Sequence, residues 1–126
     1  MKTQKHFSVS ARAKSFKYAF NGLFVVIKSQ HNFWIHIVAA FVVVVAGLYF
    51  EISFTDWAIL VVVIGLVISA ELFNTAIEWL VDLVSPEISP VAGKIKDVAA
   101  AAVLVLAIMS VVVAYFVFSP YIFSCL

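Results

Sequence analysis

The stretch Trp57-Ala-Ile-Leu-Val-Val-Val-Ile-Gly65-Leu-Val-Ile-Ser69-Ala-Glu71-Leu-Phe-Asn74-Thr75-Ala-Ile-Glu78-Trp79 decides how this chain folds. Its first half is an unbroken apolar run, and the whole is long enough to cross the hydrocarbon layer, which takes roughly 20 helical residues. Two further apolar runs flank it, from about Ile35 to Phe50 and from Val98 to Phe118. The first of these is short and borrows from its flanks. Of the 126 residues, 65% are hydrophobic and 12% charged, and the mean hydropathy is +1.15. A soluble domain of this size does not have that composition, so the expected solvent is a membrane. The reading is an all-α membrane protein with transmembrane helices over about 33–50, 57–82 and 97–118. One domain is expected over 1–126, with a loose N-terminus at 1–10 and an amphipathic surface helix at 11–30.

The charges set an expected orientation. Lys2, Lys5, Arg12, Lys14, Lys17 and Lys28 precede the first span with no acid among them, and Lys94 and Lys96 lie between spans two and three. The connection between spans one and two carries Glu51 and Asp56 and no basic residue. The positive-inside rule then places the N-terminus on the cytoplasmic side of the inner membrane and the C-terminus outside. A cleaved signal peptide is not expected, because a long amphipathic segment separates the start from the first apolar run. In that segment Phe16, Phe20, Leu23 and Ile27 recur at helical spacing, with Lys14, Lys17, Asn21 and Lys28 largely elsewhere around the wheel. Such a helix lies in the membrane surface, either as an electrostatic anchor or as part of a substrate site. Trp34, Trp57, Trp79, Tyr49, Tyr115 and Tyr121 fall near the interfaces, where amphipathic rings act as anchors. Between Leu83 and Asp97, Ser85-Pro86, Ser89-Pro90 and Gly93 read as helix breakers in a cytoplasmic loop.

Chemistry enters at the end of the second span. Asn74, Glu78 and Asp82 stand 3, 7 and 11 residues after Glu71. At about 3.6 residues per turn all four share one stripe of about a quarter of the circumference. A charged group inside a span costs a few kcal/mol or more and normally faces a protein interior. Asp82 and Glu78 lie near enough to the interface to snorkel or to pair with the lysines that follow. Glu71 lies more than two turns deeper and needs another explanation. Aligned carboxylates with an amide between them suit a hard cation, and Mg²⁺ binds through one or two carboxylates plus substrate phosphates. A nucleotide is its natural companion, with Lys94 and Lys96 as cationic contacts at the same level.

Other site classes are not supported. With glycine only at positions 22, 47, 65 and 93, no Walker loop exists. His31 and His36 are five residues apart, on different sides of a helix, and neither joins a zinc-type spacing. The lone Cys125 matches no disulfide or redox pattern. Nucleic acid is not an expected partner.

The run Glu71-x-x-Asn74-Thr-Ala-Ile-Glu78-x-x-x-Asp82, followed by Ala92-Gly93-Lys-Ile-Lys96-Asp97, resembles the signature of the prokaryotic diacylglycerol kinase family, which includes undecaprenol kinases. Ser15-Phe-Lys-Tyr18-Ala-Phe-Asn-Gly22 and Asn32-Phe-x-Ile-His36 resemble that family's N-terminal pattern, so the likeness runs from about Arg12 to Phe118. It implies a homotrimer with active sites shared between subunits, consuming ATP with Mg²⁺ to phosphorylate the hydroxyl of a membrane lipid. Small residues at Gly65-x-x-x-Ser69-Ala70 and Ala99–Ala102 are compatible with close helix packing, within a subunit or between subunits.

By the family's pattern Glu71 is the general base and Glu78 holds Mg²⁺. Tyr18, Glu87, Lys96 and Asp97 match nucleotide contacts, with Arg12 standing for a shifted N-terminal arginine, while Asn74 and Asp82 match supporting positions. The chain departs from the pattern at Gln30, where a metal-binding Glu is common, at Trp34, where Arg is common, and at Ile88-Ser89, where Tyr-His is frequent. Gln30 is the best argument for the alternative expectation, a non-catalytic relative or a small proton or ion pathway with Glu71 as relay.

Overall fold

The computed structural model describes residues 6–126; residues 1–5 of the loose segment expected over 1–10 lie outside them. The described residues form four helices: α1 Val9–Ser29, α2 His31–Phe50, α3 Phe54–Val84 and α4 Pro90–Ser124. The last three are long and apolar enough to cross a membrane. At about 1.5 Å per residue α2 just matches a hydrocarbon core of about 30 Å, whereas α3 and α4 overrun it. Glu71, 14 positions beyond Trp57, lies about 21 Å along α3 from that ring. That is less than the thickness of such a core, and Asp82 lies about 17 Å farther along the helix.

Each helix begins and ends for a local reason. Ser8 starts α1 by accepting a hydrogen bond from the Ala11 amide at 3.3 Å. At its C-terminus the backbone carbonyls lack intrahelical partners, and the Trp34 indole on α2 donates to the Ile27 carbonyl at 2.8 Å. Trp34, half exposed, thereby staples α1 to α2 across the single-residue joint at Gln30. The turn after α2 is a Schellman motif: the Ile52 amide donates to Gly47 O at 3.2 Å and the Glu51 amide to Leu48 O at 3.4 Å. Glu51 adopts the left-handed conformation this needs, at φ 50 and ψ 53.

The loop expected from Leu83 to Asp97 is shortened by the structure to residues 85–89. Ser89 and Pro90 read as breakers, but Ser89 caps α4 through the Ala92 amide at 3.5 Å and Pro90 opens its first turn. Proline suits that position because the missing N–H would have had no partner there. Gly93, Lys94, Lys96 and Asp97 are thus presented by a rigid helix, and only residues 85–89 connect α3 to α4.

The antiparallel pair α3–α4 is the main packing unit; α2 lies against α3 and touches α4, and α1 meets α2 and α3 only near its own C-terminus. Ile52, Leu60, Val117 and Phe118 form a core at the α2–α3 turn, with Phe50, Trp57 and Tyr121 packed around it. Along α3 the buried positions Leu60, Val63, Val67, Glu71 and Thr75 recur every three or four residues, which is one face of a helix. Glu71 therefore lies on the packed face of α3, not on its lipid-facing side. Gly65 and Ser69 do not serve packing within the chain: both are exposed, and a Cβ built on Gly65 meets nothing within 4 Å.

Candidate functional site

Glu71 is 7% exposed and finds its partner on another helix. His36 Nε2 on α2 stands 2.9 Å from Glu71 Oε1. The carboxylate can only accept, so the imidazole N–H donates. The second oxygen, Oε2, makes no hydrogen bond among the described residues. A buried ionised group is tolerated when paired and hydrogen-bonded, and this bond supplies what the acidic helix does not. His36 belongs to the Asn32–His36 pattern and has no metal-ligand spacing; neither feature reveals its contact with Glu71, 35 residues away. A polar ring in an otherwise apolar span was the available signal.

One turn along α3, the Asn74 side-chain amide donates to Glu78 Oε1 at 3.1 Å. That bond fixes which way the amide points, and it leaves Asn74 Oδ1 buried with no partner among the described residues. A buried, unsatisfied oxygen is uncommon and calls for a ligand. Among the described residues no group of three or more His, Cys, Asp or Glu gathers to form a metal cage. The donor set instead suits Mg²⁺, which takes few protein ligands and completes its shell with phosphate and water. Glu78 and the free Asn74 oxygen are the residues able to hold it. Gln30 is half-buried at the joint between α1 and α2, and its side chain caps neither helix.

At the end of the stripe Asp82 is paired with Lys96, the partnership that its place near the interface allows. The two line a polar cleft of about 200 Å³ between the end of α3 and the start of α4, together with Ser85, Glu87, Ser89 and Gly93. Three predicted positions are thereby brought near one another, Asp82, Glu87 and Lys96; Asp97, the next residue of α4, is exposed and does not line the cleft. Arg12 and Tyr18 are not brought to it. They stand on the part of α1 from Ala11 to Phe20, every residue of which is exposed, and Tyr18 retains 67% of its surface.

A second recess of about 160 Å³ runs between α2, α3 and α4, with apolar walls that include Ala39, Val43, Leu60, Val67 and Ala114. On α2 it ends at His36. The arrangement thus sets a buried, partnered carboxylate between an apolar groove on one side and a metal-suited pair leading to a polar cleft on the other.

A family model described as prokaryotic diacylglycerol kinase matches residues 17–118. The chain is 39% identical over 107 residues to an undecaprenol kinase of Bacillus subtilis, covering 85% of this chain and 87% of the relative. It is 36% identical over 107 residues to a diacylglycerol kinase of Helicobacter pylori, covering 79% and 83%. A diacylglycerol kinase of Synechocystis is 38% identical over 100 residues, covering 79% of this chain and 57% of that protein. With three membrane-spanning helices and a match over most of its length, the chain is a membrane protein that belongs to the prokaryotic diacylglycerol kinase family.

Proposed function

We propose that this chain acts as one lipid-kinase domain that transfers the γ-phosphoryl group of ATP to the hydroxyl of a membrane lipid, either diacylglycerol or undecaprenol, in a Mg²⁺-dependent reaction. The observation that carries this reading is the placement of Glu71: 7% exposed, in a helix long and apolar enough to cross a membrane, on the packed face of α3 and one turn from Asn74. In the transfer, Glu71 accepts the proton of the lipid hydroxyl as its oxygen attacks the γ-phosphorus, and the bond from that phosphorus to ADP breaks. Glu78 and Asn74 hold the metal, which when bound neutralises phosphate charge. Lys96 and Glu87 at the polar cleft, with Asp97 as the next residue of α4, contact the nucleotide, and Asp82 keeps Lys96 in place. Phosphoryl transfer rests mostly on positioning and charge neutralisation, so few residues suffice. The groove ending at His36 has the apolar walls that an acyl or prenyl chain requires.

A homotrimer completes the site in this reading. Arg12 and Tyr18 stand clear of their own subunit's stripe, and small Gly65 and Ser69 stay open at the surface for a neighbouring helix. The distribution of basic residues favours an inner-membrane protein with the N-terminus and active site on the cytoplasmic side and the C-terminus outside.

The test is transfer of radiolabel from ATP to diacylglycerol or undecaprenol by purified protein in detergent, with and without Mg²⁺, beside Glu71→Gln. Expected is Mg²⁺-dependent labelling that the substitution abolishes. Equal labelling by both proteins removes Glu71 as the base, and proton flux in liposomes without ATP supports the relay alternative instead.

A further inference from the structure

We propose that His36 is a positioning residue for the transfer step, holding Oε1 of Glu71 so that Oε2 is left to meet the lipid hydroxyl. The inference rests on the assignment of Glu71 as the base. His36 sits in an 18-residue stretch of α2 with mean hydropathy 2.3, where an imidazole is costly unless it has a task. Its side chain is 18% exposed and that of Glu71 9%, so water competes little for either. The pair spans two helices that are 35 residues apart in sequence at this point. One bond therefore fixes both the rotamer of the glutamate and the rotation of α2 against α3.

The geometry divides the carboxylate into two unlike oxygens. Oε1 is engaged at 2.9 Å by the ring, while Oε2 makes no hydrogen bond among the described residues. His36 also forms the α2 end of the apolar groove. A lipid whose tail occupies the groove brings its polar end to the level of this pair. As the lipid oxygen bonds to the γ-phosphorus, the electrons of the breaking bond stay on ADP and the lipid proton passes to Oε2. His36 keeps its own proton throughout, and Glu71 returns the one it gained to water after product leaves. Without the imidazole, Glu71 retains its chemistry but samples several rotamers, few of which aim Oε2 at the substrate.

A merely satisfying hydrogen bond and a positioning one differ in what they do to kcat. Purified His36→Ala, His36→Phe, His36→Gln and Glu71→Gln proteins are compared with the unmodified chain for kcat and KM toward both substrates, with thermal midpoints in detergent. Glutamine can present an N–H about where Nε2 stands; phenylalanine fills the space without one. Expected for Ala and Phe is a fall in kcat of about 10- to 100-fold, the range for losing a hydrogen bond to a charged group. KM for ATP stays within about twofold, and Gln recovers most of kcat. His36→Phe with undiminished kcat overturns the proposal, as does a folded His36→Gln that is no better than Phe. If Ala and Phe do not fold, the ratio of Gln to unmodified kcat decides on its own, a fall beyond about tenfold overturning the role. Activity in Glu71→Gln sinks the base assignment itself, whereas its loss together with a silent His36→Phe sinks only the inference.

Discussion

Gly47 lies directly beneath the indole of Trp57, where α2 turns back to α3. A methyl group on Gly47 would stand 2.6 Å from Cη2 and 2.8 Å from Cζ2 of that ring, and 3.1 Å from Ile52 Cδ1. Trp57 is packed on the core at this turn and has little room to yield. Gly47→Ala is expected to destabilise by about 1–3 kcal/mol, the usual cost of overpacking. The measurement is the thermal midpoint in detergent. In a double-mutant cycle with Trp57→Leu the two losses add to less than their sum, because removing the ring removes the clash.

The same end of the molecule is held by a hydroxyl contributed from α4. Tyr121 donates to Asp56 Oδ2 at 2.7 Å and accepts from the Ser53 amide at 3.1 Å, which clamps the N-terminus of α3. Tyr121→Phe is expected to cost about 1 kcal/mol, because water can replace part of what an exposed cap loses. Catalysis should not change, since Asp56 and Glu71 are about 22 Å apart along α3. A fall in kcat with an unaltered midpoint would contradict this division of labour.

These contacts mark the boundary of what the sequence makes legible. The three spans follow from apolar runs, and the stripe from Glu71 to Asp82 follows from spacing within one helix, because both depend only on the local period of 3.6. His36 with Glu71 and Tyr121 with Asp56 join residues 35 and 65 positions apart. Such pairs depend on how each helix is rotated about its axis, and α2, apolar nearly all the way round, carries little pattern to fix that rotation. The start of α4 was legible but misread. Ser89-Pro90 can end one helix or begin another, and the capping serine followed by proline is the combination that begins one. Tyr18 and Arg12 were placed by resemblance, and a single subunit gives α1 no contact that would bring them to the stripe.

Lys96 tests whether the ion pair at the end of the stripe is structural. Its side chain is 37% exposed and that of Asp82 61%, and a pair so open to solvent contributes about 0–1 kcal/mol. Lys96→Ala should therefore leave the thermal midpoint nearly unchanged. If the lysine serves the nucleotide, the same substitution raises KM for ATP by about tenfold or more, as loss of a charge-assisted bond requires. KM for the lipid stays where it was. Unfolding of the variant with unchanged nucleotide affinity in whatever remains folded would make the pair a structural one instead.

Asn74 tests the metal without relying on turnover. Its amide restrains Glu78 through a 3.1 Å bond, and its oxygen is buried with nothing to accept. A cation binding there gains that oxygen and the carboxylate together, and binding to the folded state alone raises stability by mass action. The unmodified protein should thus show a thermal midpoint that climbs with Mg²⁺ in the presence of a non-hydrolysable ATP analogue. In Asn74→Ala the orphan oxygen is gone and Glu78 is released, so the Mg²⁺ concentration for half the shift rises by about 10- to 100-fold. Asn74→Asp behaves differently. It sets a second carboxylate beside Glu78 and removes the donated bond, so without metal the variant melts below the unmodified protein, and with metal most of the deficit is recovered. Were Asn74→Asp equally unstable at every Mg²⁺ concentration, the amide would be a packing element of α3 and the cation would have to be held elsewhere.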